Sequence, residues 1–464
     1  MSLGEVKLAY FLGIGGIGMS ALARFLHAQG IIVCGYDKTA SPLTAALEDE
    51  GIPVSNLDAV QELPGLLRQI PRAEVCVVWT PAVPADHPQL IHFQAEGYRV
   101  MKRAALLGQI TAEHPTLAVA GTHGKTTTST WLAHILRGTP AGCNAFLGGI
   151  DLASGSNLVM RENAPWTVVE ADEYDRSFLQ LRPHHAVITG CEADHLDIYG
   201  DGEALEGAFR EFAALVEGEV LVAEEAAGVV RAGKTYGVVR RGGTIEAAAK
   251  WDFAAVDAHV DAEGFLVADF WRAGEMWMPA VRLSMAGWHN CANGLAAAVL
   301  ASWAGASDAT VRRGLGDFEG IRRRFNHVVR RPDRVYIDDY AHHPTEVRAA
   351  IEAARLHHPG KRVTVIFQPH LYTRTRDQGA GFGRDLALAD ELYLLPIYPA
   401  REEPIEGIHS QWLFEKISLQ AKHLIHPEEI SRCLEDRPPE VLMTLGAGDI
   451  DRLVEPLKQL MTNL

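Results

Sequence analysis

Val119-Ala120-Gly121-Thr122-His123-Gly124-Lys125-Thr126-Thr127-Thr128 is the stretch that decides the fold. It follows an apolar run, Leu117 to Ala120, that reads as a buried strand, and it opens a segment from Ser129 to Leu136 with helical periodicity. A glycine loop between strand and helix lets backbone N–H groups at the helix start wrap a polyphosphate. Gly121 to Thr127 would form that cradle, with Lys125 on the outer oxygens and the Thr126 hydroxyl offered to Mg²⁺. The generic phosphate-loop pattern has a glycine where Val119 stands, so this loop is a shortened one. A glycine-rich turn without a ligand would explain Gly121 and Gly124, but not the Lys-Thr pair directly after them. The expectation is a nucleoside triphosphate site in an α/β domain.

Upstream, strand, glycine loop and helix occur once more. Lys7 to Leu12 reads as a strand, Gly13-Ile14-Gly15-Gly16-Ile17-Gly18 as the loop, Met19 to Gln29 as the helix, and Ile31 to Gly35 as a second strand ending at Tyr36-Asp37. In this Gly-x-Gly-x-x-Gly setting Gly13, Gly15 and Gly18 let the backbone approach a pyrophosphate, and Asp37 is placed to bond a ribose or base. The motif alone specifies a diphosphate-containing ligand and leaves a dinucleotide and another nucleoside diphosphate both open. A further strand, Val75 to Trp79, runs into Thr80-Pro81-Ala82-Val83-Pro84, either a ligand loop at a strand's carboxyl end or a rigid connector.

Downstream, two strands end in carboxylates: Trp166 to Glu173, and His184 to Thr189 closing on Cys191-Glu192-Ala193-Asp194-His195-Leu196-Asp197. Beside a phosphate loop these ends are suited to hold a divalent metal over the γ-phosphate; a solvated acidic turn is the plainer reading of either alone. Trp251 to Met278 alternates in a β manner, and Ala286 to Asn293 leads into an apolar helix, Gly294 to Ala304. The basic segment Phe318 to Phe325, with Arg322, Arg323 and Arg324, reads as an interdomain joint. Strand Val335 to Asp338, a helix from Thr345, strand Val363 to Phe367, strands near Glu391 and Val441 and a last helix, Ile450 to Met461, make a third doubly wound unit. The expected architecture is α/β in three domains, 1–109, 110–320 and 321–464.

Bulk composition narrows the function. A chain of 464 residues with 47% hydrophobic content and no long apolar stretch is expected to fold as several soluble domains without a membrane span. A net charge of −16 argues against a general nucleic-acid binder. The start Met-Ser-Leu-Gly-Glu-Val-Lys has neither a signal core nor a transit pattern, so a cytoplasmic location is expected. Six dispersed cysteines read as reduced thiols, not staples or zinc ligands.

Several of these motifs, taken in order, resemble the Mur ligases over nearly the whole chain. They are Gly-Thr-His-Gly-Lys-Thr-Thr-Thr (121–128), Glu-Ala-Asp-Glu (170–173), Asp-His-Leu-Asp (194–197), His-Asn (289–290), the Arg-Arg-Phe joint, Asp-Asp-Tyr-Ala-His-His-Pro-Thr-Glu (338–346) and Phe-Gln-Pro-His (367–370). The resemblance implies a ligase of peptidoglycan precursor synthesis that uses ATP and Mg²⁺ to join L-alanine to the lactyl carboxylate of UDP-N-acetylmuramate through an acylphosphate. It also implies that the first domain binds the UDP-sugar and not a nicotinamide cofactor, with Gly15, Ile17 and Gly18 at the pyrophosphate. Lys125 and Thr126 would hold ATP, Thr126, Glu170 and His195 the Mg²⁺, and Asn290 and Asn293 the adenine region, with Arg324 and Asp338 reaching ATP from the joint and the third domain. Tyr340, His342, His370 and Arg374 would receive the amino acid.

One position departs from the family pattern: Leu371 stands where an arginine is expected after Phe-Gln-Pro-His, leaving Arg374 as the main carboxylate clamp. The amine must lose a proton before it attacks, and His195 and His342 are both candidates for the base. Rival readings are a ligase for a recycled tripeptide, a Rossmann dehydrogenase favoured only by the first glycine loop, and a nucleotide switch without ligase chemistry. Monomer and homodimer both stay open.

Overall fold

Three sheets carry the computed structural model, which describes residues 3–192, 199–400 and 402–464. In the first, β1 (Leu8–Leu12), β2 (Ile32–Tyr36), β3 (Val54–Ser55), β4 (Val75–Trp79) and β5 (Arg99–Lys102) run parallel in the order β3-β2-β1-β4-β5. Every residue of β1 is buried, as a central strand covered on both faces requires. Strand order reverses between β1 and β4, so the first glycine loop and loop 80–84 face each other across a crevice.

The second sheet comprises β6 (Thr116–Ala120), β7 (Asn144–Phe146), β8 (Leu158–Val159), β9 (Thr167–Glu170), β10 (His185–Ile188), β11 (Val220–Ala223), β12 (Lys234–Arg240), β13 (Phe253–Val260), β14 (Leu266–Arg272) and β15 (Glu275–Leu283). Its order is β15-β14-β13-β12-β11-β10-β6-β9-β7-β8. From β13 to β7 the neighbours are parallel, while β14, β15 and β8 add antiparallel edges. Because β6 lies between β10 and β9, the phosphate loop after β6 is flanked by Glu170 at one strand end and Thr189 beyond the other. Helices Lys125–Arg137 and Trp288–Trp303 share one apolar cluster on this sheet, in which Trp131 is fully buried and donates its indole N–H to the Gly314 carbonyl at 3.0 Å.

The third sheet has β16 (Asn326–Arg330), β17 (Val335–Asp339), β18 (Val363–Phe367), β19 (Glu391–Leu394), β20 (Lys422–Leu424) and β21 (Val441–Leu445) in the order β16-β17-β21-β18-β19-β20, with β16 alone antiparallel.

The two domain seams differ in substance. One apolar cluster takes residues from both the first and the central domain, including Phe25 and Phe146 with ring centroids 5.1 Å apart. Buried Asn157 fastens the same seam, donating to the Ser20 hydroxyl at 2.9 Å and accepting from Arg24 at 2.5 Å. The third domain's cluster includes a single central-domain residue among those described, Ala286. No helix among the described residues is long and apolar enough to cross a membrane. All six cysteines are free thiols, four of them buried.

Candidate active site

A cavity of about 910 Å³ opens above the first glycine loop, between the first and central domains. Gly13, Ile17, Gly18, Asp37 and Thr80 line one end, and Gly148, Glu170 and Asp172 the other. Gly15 stands behind this wall: its N–H donates to Asp37 Oδ2 at 2.8 Å, while Thr39 N–H donates to Oδ1 at 3.0 Å. Asp37 is thereby fixed by the loop itself. A Cβ on Gly15 would come within 2.8 Å of that carboxylate, which explains the glycine. Arg103, unforeseen from sequence, also lines the cavity and reaches over Gly18. It follows β5, an edge strand whose residues Arg99-Val100-Met101-Lys102 carry no apolar run to announce it.

At the second loop Gly121 (φ +128°) and Gly124 (φ +80°) take backbone conformations that a side chain would strain. Lys125 Nζ donates to the Gly121 carbonyl at 2.7 Å and to both oxygens of Glu173 at 2.9 and 2.8 Å. Burial works to lower the Lys125 pKa, but Glu173, Asp172 and Glu170 outweigh it and keep the ammonium charged. Sequence reading did not assign Glu173 this role, although it closes the Glu-Ala-Asp-Glu motif. Thr122 accepts from Glu192 N–H at 3.1 Å, and Thr126 and Thr127 lie buried in the first turn of the helix.

Lys125, Thr126 and Glu170 share a cavity of about 610 Å³ with Arg324, Tyr340 and His342. Burial raises the Glu170 carboxyl pKa, opposed by Lys125 and by a hydrogen bond from Thr126. Glu170 Oε2 is shielded from solvent without a hydrogen-bond partner, a buried anionic oxygen of the kind that Mg²⁺ satisfies. His195, expected as a further ligand or as the base, lies outside the described residues.

On the far side of the loop, His123, Gly124, Thr127, Asn290, Asn293 and Arg324 line a smaller cavity of about 200 Å³. Asn293 donates to Asn290 Oδ1 at 2.9 Å, Asn290 donates to the Ala286 carbonyl at 2.6 Å, and Asn293 Oδ1 packs against Gly124. Asp338 is not among these groups. Its carboxylate accepts from the Thr444 hydroxyl at 2.7 Å and lies 3.5 Å from Arg323, inside the third domain. The neighbouring Asp339 lines the cavity instead and accepts from Phe325 and Ala341 N–H at 2.6 and 2.7 Å. Successive residues of a strand face opposite ways, so an Asp-Asp pair presents only one carboxylate to the cleft. Burial pushes the Asp339 carboxyl up to about 6.

The residues expected to receive the amino acid lie together. Tyr340 is flanked by the guanidinium groups of Arg323 and Arg324, 5.1 and 5.4 Å from its ring centre. His342 and His370 have ring centres 6.1 Å apart, Arg374 donates to His370 Nδ1 at 3.3 Å, and His370 stacks on Tyr398. His342 Nδ1 lies 3.0 Å from the Tyr340 carbonyl, which can only accept, so the neutral ring carries its proton there and keeps the lone pair on Nε2. Burial lowers the His342 pKa to about 4, leaving it neutral at pH 7. Leu371 takes φ +68° at the start of helix Tyr372–Asp377 and is pinned through its backbone, N–H to the Tyr398 carbonyl at 2.9 Å.

These spaces adjoin one another. Ile17, Gly148, Glu170, Asp172 and Tyr174 border both the 910 Å³ and the 610 Å³ cavities, and Arg324 borders both the 610 Å³ and the 200 Å³ cavities. The three cavities thus neighbour one another in turn, the first lined by Asp37 and the last by Asn290. Three family models cover most of the chain: "Mur ligase family, catalytic domain" over residues 9–115, "Mur ligase middle domain" over 119–301 and "Mur ligase, glutamate ligase domain" over 323–448. The chain belongs to the Mur ligase family.

Among its relatives in that family, the UDP-N-acetylmuramate–L-alanine ligase of Parabacteroides distasonis is 44% identical over 99% of this chain and 98% of that protein. The enzyme of the same name from Christiangramia forsetii is 43% identical over 98% of each. The crystal structure of UDP-N-acetylmuramate-alanine ligase from Thermotoga maritima superposes with a TM-score of 0.83 at 26% identity, covering 98% of this chain and 99% of the other. The three-domain fold expected from sequence is thereby borne out.

Proposed function

We infer that this Mur ligase uses ATP to join L-alanine to the lactyl carboxylate of UDP-N-acetylmuramate, giving ADP and phosphate in peptidoglycan precursor synthesis. The adjoining cavities carry the reading: one lies over the first glycine loop, and the other two border the phosphate loop on either side. The UDP moiety occupies the crevice at Gly13–Gly18, with Arg103 near its pyrophosphate and its lactyl end toward Glu170. ATP lies along Gly121–Thr127 toward Asn290 and Asn293.

The reaction follows from those positions. The lactyl carboxylate attacks the γ-phosphate in line, and Lys125 and Arg324 bear on the charge that spreads over the transferring group. Thr126 and Glu170 would hold Mg²⁺, which when bound neutralises charge on the β- and γ-oxygens. The acylphosphate then faces L-alanine, whose carboxylate pairs with Arg374 beside His370. His342 Nε2 accepts the amine's proton as nitrogen attacks the acyl carbon and phosphate leaves. Enclosing the step between the central and third domains keeps water from the acylphosphate. A cytoplasmic location fits a reaction whose substrates are polar nucleotides and an amino acid. One chain carries all three cavities, so monomer and homodimer serve equally.

Phosphate release measured with ATP, UDP-N-acetylmuramate and a panel of acceptors tests this. L-alanine is expected to be the best acceptor; turnover only with L-alanyl-γ-D-glutamyl-diaminopimelate would overturn the choice. In the same assay Lys125→Ala is expected to lose activity by about 10³-fold or more.

A further inference from the structure

Glu346 stands where the phosphate loop, the joint and the His342 loop converge, and the chemistry above gives it no part. Its Oε2 accepts from the backbone N–H of His342 at 3.0 Å and of His343 at 3.3 Å, closing a capping box at the start of helix Pro344–His357. Helix capping alone is a sufficient reason for a glutamate there. The remaining contacts go further. Oε2 is also 3.2 Å from Nδ1 of His342, while Oε1 is 3.4 Å from Nδ1 of His123 on the phosphate loop and 4.0 Å from Nη1 of Arg324. Glu346 borders both the 610 Å³ and the 200 Å³ cavities, in the wall that the amine end and the nucleotide end share. Burial works to raise its pKa, but His342, His123 and Arg324 outweigh that and hold the carboxyl well below its usual range.

His123 answers from the other side. Burial alone would lower its pKa, yet the carboxylates of Glu192 and Glu346, 3.3 and 3.4 Å from its ring nitrogens, lift it to about 9. His123, Glu192 and His343 stand together here, with ligand atoms within 4.8 Å of one another.

We propose that Glu346 is a positioning residue that couples nucleotide binding to amine deprotonation, by fixing His342 with Nε2 toward the amine when His123 and Arg324 are drawn against its other oxygen. The proposal rests on the ligase reading above. Its physical content is a relay of fixed orientation. The Nδ1–H of His342 is held between the Tyr340 carbonyl and Glu346 Oε2, which sets the tautomer and leaves Nε2 bare. Oε1 faces two cations supplied by the loop and the joint, the segments that flank the ATP. Withdrawing either loosens the carboxylate and, through it, the imidazole.

Glu346→Gln separates this from a cap, because glutamine serves a capping box equally well but carries no charge. The variant is expected to keep its melting temperature within about 2 °C. Its kcat should fall by about tenfold or more while KM for ATP changes by less than about threefold. The acid limb of its kcat profile should move to lower pH, since the negative charge that favours protonated His342 is gone. His123→Asn tests the same link from the loop, and in the double variant the two losses should be less than additive. Wild-type kcat and pH profile in Glu346→Gln would overturn the proposal, as would strict additivity. If Glu346→Gln fails to fold, an unchanged acid limb in His123→Asn overturns it equally. Wild-type turnover with L-alanine is the control: its absence sinks the ligase reading, its presence with unaffected variants sinks only the role of Glu346.

Discussion

The seam between the first and central domains joins apolar packing to buried hydrogen bonds, with the Lys102–Asp175 and Arg103–Asp172 ion pairs beside them, whereas the contacts between the central and third domains are mostly polar. At the first, Arg24 forks onto Glu50 at 2.6 and 2.7 Å, passes its remaining nitrogen to Asn157, and sits beside the Phe25–Phe146 contact. At the second, His123 faces Glu346 at 3.4 Å, the Thr345 hydroxyl reaches Glu192 at 3.4 Å, and His357 reaches the Gly264 carbonyl at 2.8 Å. Apolar burial and buried amide bonds are insensitive to salt and weakly sensitive to pH; pairs of half-exposed charges respond to both. On the proposed function, the crevice taken as the UDP-sugar site would be a standing feature, and the domain taken as the amino-acid site would be the one able to close. That division suits an order in which the sugar carboxylate is activated before the amine arrives.

The contrast can be broken at either seam. Asn157→Ala should have the largest effect on stability, about 2–4 kcal/mol by urea unfolding, because it strands a buried guanidinium nitrogen and removes the donor that Ser20 accepts from. A loss below about 0.5 kcal/mol would mean that apolar packing alone holds the first seam. Glu192→Ala, at the half-exposed edge of the second seam, should cost no more than about 1 kcal/mol. Small-angle scattering should nonetheless show the third domain displaced, and added salt of about 0.5 M should mimic this in the wild type.

The smallest effect is that of pH. His123 has its folded pKa raised from 6.5 to about 9, so its contribution to the second seam is complete below pH 6.5 and is lost as pH rises through about 9. Proteolysis of the joint around 318–325 should accelerate across that window in nucleotide-free protein. An unchanged rate would place the hold of this seam in Arg324 and the His357 contact instead.

Much of this was legible in the sequence where strands are apolar and loops carry glycine. The strands β1, β4, β6, β18 and β21 were read to within a residue or two, because runs such as Val363–Phe367 are buried on both faces. The short β3 and the polar β5 escaped, being edges with half-buried residues. Glycine loops announced Gly13–Gly18 and Gly121–Lys125, but the partners that fix them were invisible, since Asp37 with Gly15 and Glu173 with Lys125 are pairings made only by the fold. Asp338 and Asp339 show the limit most sharply. Composition cannot say which of two adjacent aspartates faces the cleft; strand register does.

The Lys125–Glu173 pair described above has a consequence for how the loop fills. A triphosphate that draws the ammonium away takes a positive charge from beside a fully enclosed carboxylate. Bare nucleotide is thus penalised, and nucleotide escorted by a divalent ion, which can restore neutrality around the abandoned acid, is favoured. On the proposed function the lysine would act as a placeholder whose departure selects for the chelate over the free anion.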